Sequence, residues 1–314
     1  MKNNIMKNNI MINGEIVKPL LYDKPVLSAE QHIKLLKSRW LIFRNEEEAK
    51  LQLQRNAYYR LSWYMRYFYK DPAQNFKEWT DFKDITELYY FDGDLKLLLL
   101  DALEVIEVDF KTQIINIMSE KYWTPFWFMD KEKFISIWLY KNITKIIQET
   151  VNRNKDNSSP IKHYYNKYAW PALPPIWMIM QILSFWGTGI LYTSLLIIDK
   201  VLVAKRYNLR WQQLQSRIDC MAYLRNLCAH SDRVWNRKMT KKLRIKWMEG
   251  ILLSNDTTYS YILVVVCLLR KISDNFSRIW EWKLVNFIKS HKSIQLNSMW
   301  FPKDWEEKLK LCSL

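Results

Sequence analysis

Apolar residues recur at helical spacing along most of this chain, and no stretch shows a trustworthy strand alternation. The longest helical pattern runs from Lys83 to Tyr122 through Leu88, Phe91, Leu95, Leu98, Leu99, Ala102, Val105, Ile106, Phe110, Ile114 and Ile117. It predicts one long helix, capped by Thr80 or Asp81. Ser28-Ala29-Glu30-Gln31 has the form of a capping box and predicts a helix through Ile33, Leu35 and Leu36. Glu46 to Tyr69 is expected to be helical, with Tyr58, Tyr59, Trp63, Tyr64, Tyr67, Phe68 and Tyr69 set among Arg55, Arg60 and Arg66. Further helices are predicted over 131–151, 176–186, 189–207, 211–230, 241–251 and 259–272, with a Trp-rich tail over 277–314. The fold class is all-α.

Five glycines in 314 residues leave little turn chemistry for a many-stranded sheet. The first residues, MKNNIMKNNIMING, repeat a polar pentamer and lack the apolar core of a signal peptide. Residues 1–20 are therefore expected to be a disordered tail. Asn152 to Pro160 (NRNKDNSSP) is the clearest loop. It separates an N-terminal helical region, 21–151, from a core at 160–250 and a C-terminal helical extension at 251–314. No charge falls between Tyr168 and Ile198, yet Pro171, Pro174, Pro175, Gln181, Ser184, Gly187, Thr188 and Gly189 interrupt the segment. It reads as buried core rather than a membrane span. Cys220, Cys228, Cys267 and Cys312 lie far apart with no zinc spacing. A reduced, cytoplasmic setting fits that pattern.

Charge changes the picture. Lys and Arg outnumber Asp and Glu by 48 to 32, a formal +16, which calls for an anionic partner such as nucleic acid or an acidic membrane surface. The density is greatest at Arg217, Arg225, Arg233, Arg237, Lys238, Lys241, Lys242, Arg244 and Lys246, nine cations opposed only by Asp219 and Asp232. These residues form a candidate RNA-binding surface whose attraction would weaken with salt. Elsewhere, Asp101, Glu104 and Glu107 make a ladder that could hold a divalent cation, although an ion-pairing rail is the commoner meaning. The aromatic and arginine mixture at 55–69 offers a stacking platform, with a core helix as the commoner alternative.

Within the basic region stands Arg225-Asn226-Leu227-Cys228-Ala229-His230. Residues five apart on a helix differ by about 140° around the axis and about 7.5 Å along it, so Arg225 and His230 do not share a face. Asn226 and His230, at i and i+4, do. That geometry argues against a dyad confined to one helix and suits a cleft where two such helices meet. RNA cleavage by its own 2′-hydroxyl needs a proton acceptor, a donor for the leaving oxygen and positive charge at the phosphorane-like transition state. Histidine and arginine supply these without metal or cofactor. By spacing alone, an Arg and a His at a helix end are more often dipole-stabilising residues.

A longer series of segments points further. Ser28 to Leu36, Asn56 to Ser62, Phe82 to Phe91, Leu95 to Val108, Pro125-Phe126-Trp127, Pro174 to Phe185 and Tyr223 to Asn236 occur in this order. In that order they resemble the Abi-like abortive infection proteins of the AbiD/AbiF type, a branch of the HEPN superfamily of helical ribonucleases. The resemblance covers roughly residues 20 to 245. It implies a HEPN-type helical bundle with additional N-terminal helices, and an Arg-x4-6-His motif at Arg225, Asn226 and His230. It also implies a metal-independent endoribonuclease with a composite site at a homodimer interface. Arg225 would bind the scissile phosphate, Asn226 would orient the phosphate or the histidine, and His230 would act as acid or base. The implied products carry 2′,3′-cyclic phosphate and 5′-hydroxyl ends. The implied setting is anti-phage defence or a toxin–antitoxin pair, in some relatives restrained by a small non-coding RNA. The rival is a catalytically silent module that holds a structured small RNA, and a membrane-associated effector is a weaker third. Relatives commonly carry tandem histidines after Cys-Ala, where this chain has His230 followed by Ser231. Trp235 is expected to pack rather than stack a base.

Overall fold

The computed structural model describes residues 10–12, 15–17, 24–244 and 254–310. Two compact units divide the chain, 1–87 and 88–314, with the boundary inside one long helix. Helices dominate both, so the fold is all-α. A short antiparallel pair, β1 (Ile10–Ile12) and β2 (Glu15–Val17), falls where the sequence suggests a disordered tail and no strand. Asn13-Gly14, which separates the two, is the dipeptide best suited to a two-residue hairpin loop, and that signal was present in the sequence.

In the first unit, α1 (Ala29–Lys37) starts at the expected capping box, with Ser28 and Gln31 each bonding the other's backbone N–H. Asn45 caps α2 (Glu46–Asn56) and three glutamates fill its first turn, where the helix dipole favours them. The single helix expected over 46–69 is broken. Ala57 adopts φ 53°, ψ 135°, and α3 (Tyr58–Met65) starts afresh before a 3-10 turn at Arg66–Phe68. Neither Gly nor Pro marks the break, so hydrophobic periodicity alone runs straight through it. The 70–76 turn is closed by Asp71, which accepts from the backbone and side chain of Asn75, and by pairing of Tyr69 with Phe76.

The long helix α4 (Phe82–Tyr122) has 41 residues. As expected, Asp81 caps it, accepting from the Lys83 N–H at 2.8 Å. Past the boundary its buried stripe comprises Leu88, Phe91, Leu95, Leu99, Ala102, Leu103, Ile106, Phe110, Ile114 and Met118. Burying such a side chain contributes roughly 1.5–3 kcal/mol, so this stripe supplies the burial energy that holds the helix in the unit. There follow α5 (Ile137–Asn154), which starts at its Ser136 cap rather than at Lys131, then α6 (Ser159–Lys167) and α7 (Ile176–Ile182). Next come α8 (Phe185–Ser194), α9 (Ile197–Arg206) and α10 (Trp211–Ala229). Last are α11 (Thr258–Ile272), α12 (Asp274–Ser290) and α13 (Trp305–Lys310). The loop at 155–158 does not divide the molecule, because α5 packs on α7 and α8 within one unit.

The uncharged segment 168–198 is broken by the turn at Leu183-Ser184, where Ser184 caps α8. Among the described residues no helix is long and apolar enough to cross a membrane. The core of the unit is α11, whose residues Thr258 to Leu269 are buried on every side, with α10 and α12 packed on it. The helix expected at 241–251 is absent over 241–244, and its remainder lies outside the described residues. Leu243 instead pairs its N–H with Asn255 O, and Met239 pairs with Asp256 O, which draws the chain along the start of α11.

Ala57 stores backbone strain that glycine would relieve. Ala57→Gly is expected to raise unfolding stability by about 1 kcal/mol, read as a higher urea midpoint at constant slope.

Candidate functional site

The sequence motif sits on the last turn of α10. Leu224, Leu227 and Cys228 face the core, Arg225 is half-exposed, and Asn226 and His230 are exposed. This follows from the helical period, because the buried face of α10 passes through Leu214, Ile218, Met221, Leu224 and Cys228. His230 ends the helix with φ −89°, ψ 9°, and its N–H bonds Asn226 O at 3.0 Å. Ser231 takes a left-handed φ of 56°. Its N–H bonds Cys228 O and that of Asp232 bonds Leu227 O, the two bonds of a Schellman turn. Ser231 thus occupies the position that reverses the chain, where a residue's backbone tolerance matters as much as its side chain.

Behind this turn the chain is clamped. Asp92, on α4 and fully buried, accepts from the N–H of Trp235 at 2.6 Å and of Val234 at 3.2 Å. Lys96 lies 3.2 Å from the same carboxylate, one helical turn on. From the other side the Thr258 hydroxyl donates to Val234 O. Trp235 is 1% exposed, packed as expected. Sequence reasoning passed over Asp92, although an acidic residue among apolar neighbours with a lysine four residues later was a readable sign of a buried pair.

Arg225 turns toward α4. Its Nε lies 3.7 Å from Glu107 Oε2, while Lys111 Nζ lies 2.7 Å from the other oxygen of Glu107. These groups line a groove of ≈ 400 Å³ together with Glu104, Val108 and Gln181. The ion pair with Glu107 is made through Nε. Neither Asn226 nor His230 lines that groove. Among the described residues their side chains have no hydrogen-bond partner. One chain therefore presents Arg225 on one face, and Asn226 with His230 on another.

Glu107 belongs to the ladder read from the sequence as a metal site or a rail of ion pairs. The structure gives two of its three members separate cationic partners, Lys283 for Asp101 and the Lys111–Arg225 pair for Glu107. Among the described residues no group of three or more His, Cys, Asp or Glu is placed to hold a metal ion.

The basic region does not form one surface. Arg217 is 3% exposed, because its position on α10 faces inward, and it is withdrawn from the RNA-binding set. Arg233 and Arg237 are half-buried and bond the carbonyls of Asn236 and Arg233 respectively, bracing the turn after α10. Lys238 is exposed. Lys241, Lys242 and Arg244 are exposed and line a second groove of ≈ 300 Å³ with Gln215, Ser216 and Asp219. Burial pushes the Asp219 carboxyl up from its ordinary range, against the opposing pull of Lys241 and Arg244. Lys246 lies outside the described residues. Cys220, Cys228 and Cys267 are buried and, among the described residues, joined in no disulfide. Burial, with Asp92 nearby, pushes the Cys228 thiol up to about 12, so it packs rather than reacts.

Asp92→Ala would leave two buried N–H groups without an acceptor and Lys96 without its counter-charge. It is expected to cost about 3–5 kcal/mol in urea unfolding.

A family model described as "Abi-like protein" matches residues 52–236, which include α10 and its turn. The chain belongs to that family. No curated protein matches it. No solved structure matches it either.

Proposed function

We propose that this Abi-like protein is a metal-independent endoribonuclease of the HEPN type, acting in abortive-infection defence or as the toxin of a toxin–antitoxin pair. The observation that carries this reading is the end of α10. Asn226 and His230 stand exposed there with unengaged side chains, one face away from a guanidinium held at a groove. In the reaction His230 accepts the proton of the 2′-hydroxyl, and that oxygen forms a bond to phosphorus. The bond from phosphorus to the 5′-oxygen breaks, and a protonated imidazole returns a proton to the departing oxygen. The products are a 2′,3′-cyclic phosphate and a 5′-hydroxyl. Arg225 offsets the charge that gathers on the phosphoryl oxygens. Asn226, one turn before His230, orients the phosphate or the imidazole. Lys238, Lys241, Lys242 and Arg244 supply salt-sensitive attraction for the RNA backbone.

The divergence of Arg225 and His230 around α10 favours a site completed by a second copy of the chain, with one protomer lending the arginine and its partner the histidine. RNA is the substrate, and a small non-coding RNA is the class of antitoxin that fits the exposed cations Lys238, Lys241, Lys242 and Arg244. Glu107 is a positioning residue in this scheme, holding the guanidinium of Arg225 by Nε.

The test is cleavage of RNA in excess chelator. The unaltered protein is expected to release cyclic-phosphate ends, and His230→Ala to slow cleavage by about 10²–10⁴-fold. Cleavage that needs added divalent metal, or that survives both Arg225→Ala and His230→Ala, would sink the mechanism. Binding without cleavage under all conditions would favour the silent RNA-binding module. For the shared site, an equimolar mixture of Arg225→Ala and His230→Ala chains is expected to cleave faster than either alone. No gain on mixing would count against two chains building one site.

A further inference from the structure

The aromatic cluster of the first unit is absorbed neither by the core nor by the proposed nuclease site. On α3 the helix period separates its residues sharply. Leu61, Tyr64 and Met65 are buried, whereas Tyr59 is 71% exposed and Trp63 is 38% exposed. The ordinary reading of this helix as core therefore holds for Tyr64 and fails for the two rings on the opposite face. Tyr59 and Trp63 meet edge to face at 5.9 Å, and the Arg66 guanidinium lies 4.7 Å from the Trp63 ring centre. Residues 59 and 63 stand at i and i+4 on α3, and Arg66 follows at the cap of its C-terminus, so ring, ring and cation adjoin in that order.

The same unit repeats the pairing nearby in the chain. Lys70 Nζ lies 5.8 Å from the Trp40 ring centre and Lys77 Nζ 4.9 Å from that of Tyr67. Trp40 and Trp79 are 58% and 81% exposed, and both adopt left-handed backbone, φ 71° and 65°. Bulky aromatics seldom sit at positive φ, so the chain holds these two indoles outward at a cost. Between Arg55 and Trp79 five cations (Arg55, Arg60, Arg66, Lys70 and Lys77) face two acids, Asp71 and Glu78, a net of three positive charges. Asp71 is bonded to Asn75, and Glu78 lies 3.9 Å from Lys70.

Exposed rings with cations beside them match one chemistry well: unstacked nucleobases on a polyanionic backbone. A purely apolar partner would leave the cations desolvated without counter-charge. A duplex keeps its bases stacked on one another and offers the rings nothing. We propose that Tyr59 and Trp63, with Arg66, form the centre of a single-stranded RNA-binding face on the first unit, which Trp40, Lys70 and Lys77 extend. The face is distinct from the α10 motif and would serve a nuclease or a silent binder alike.

The experiment uses the full chain carrying Arg225→Ala and His230→Ala, so that no cleavage confuses binding. The probe is a labelled oligouridylate of about 12 nucleotides, compared with a duplex of the same length. Tyr59→Ala with Trp63→Ala is expected to weaken oligouridylate binding roughly tenfold or more and to leave duplex binding unchanged. Arg66→Gln is expected to lower the slope of log affinity against log salt by roughly 0.7. Unchanged melting by circular dichroism would certify the fold; Tyr59→Ala alone, at the more exposed ring, covers the case in which the double change unfolds. Oligouridylate binding unaltered by the ring changes, or duplex binding lost in equal measure, would overturn the proposal. Cleavage by the otherwise unaltered chain is scored separately, so failure of the nuclease reading and failure of this one are distinguishable.

Discussion

The second unit depends on a carboxylate that never meets solvent. Asp92 is fully buried on α4 and accepts from two consecutive N–H groups, those of Val234 and Trp235. A buried charge is tolerable only where hydrogen bonds and a counter-charge replace its hydration, and Lys96 supplies the latter one turn away. The consequence is local and directional. A chain leaving α10 through the Schellman turn at Ser231 would otherwise be free to choose its exit; instead it is pinned three residues later to a fixed point on another helix. His230 lies between the rigid end of α10 and that pin. Its exposed imidazole therefore stands on a backbone that has little room to drift, which is the requirement for any group that must meet a substrate within hydrogen-bond reach.

The rest of α4 extends the same logic. Its buried stripe supplies the burial energy, while polar contacts set where each partner helix meets it. Trp280 on α12 donates its indole N–H to Leu98 O, Tyr207 donates to Asp109, and Tyr122 donates to the fully buried Asp199. Each of these is worth little in net stability, yet each left unpaired would cost more than it yields when made. They penalise sliding of one helix along another more than they drive collapse. Glu107 belongs to this series, with the difference that its partner Arg225 is half-exposed and its groove is open.

The legible parts of the sequence were those governed by local rules. The Ser28 box, the Asp81 cap, the span of α4 and the ends of α10 and α11 follow from capping chemistry and a 3.6-residue period, and the structure shows each. Trp235 was expected to pack rather than stack a base, and it is buried. What escaped depended on three-dimensional partners. Ala57 breaks a helix with no residue that signals a break. Arg217 looked like surface charge because the cluster was counted along the chain, while its position on α10 points inward. The helix expected beyond Lys241 yields over 241–244 to the pairing of Leu243 with Asn255, a partner that only the folded chain brings near. For the candidate site, Arg225, Asn226 and His230 were visible as a motif, and their divergence around the axis was predictable from arithmetic. Glu107 as the holder of Arg225 was not, because on the sequence its neighbour by rule is Lys111.

That shared carboxylate bears on how the motif would work. One Glu107 charge stands between two cations, Lys111 at 2.7 Å and Arg225 at 3.7 Å, so Arg225 is steered without being fully neutralised. Long arginine side chains lose considerable rotamer freedom when they bind, and a guanidinium already oriented has less left to lose. The cost is some attraction for phosphate, since Glu104 and Glu107 repel the same anion that Arg225 draws. On the proposed reading this balance favours the transition state over the ground state. Charge building on the phosphoryl oxygens raises the return from a fixed cation, while an ordinary RNA phosphate gains less from a guanidinium that a carboxylate already engages. On that reading Arg225 contributes little to tight RNA binding by itself and more to the transition state, with affinity left to Lys238, Lys241, Lys242 and Arg244.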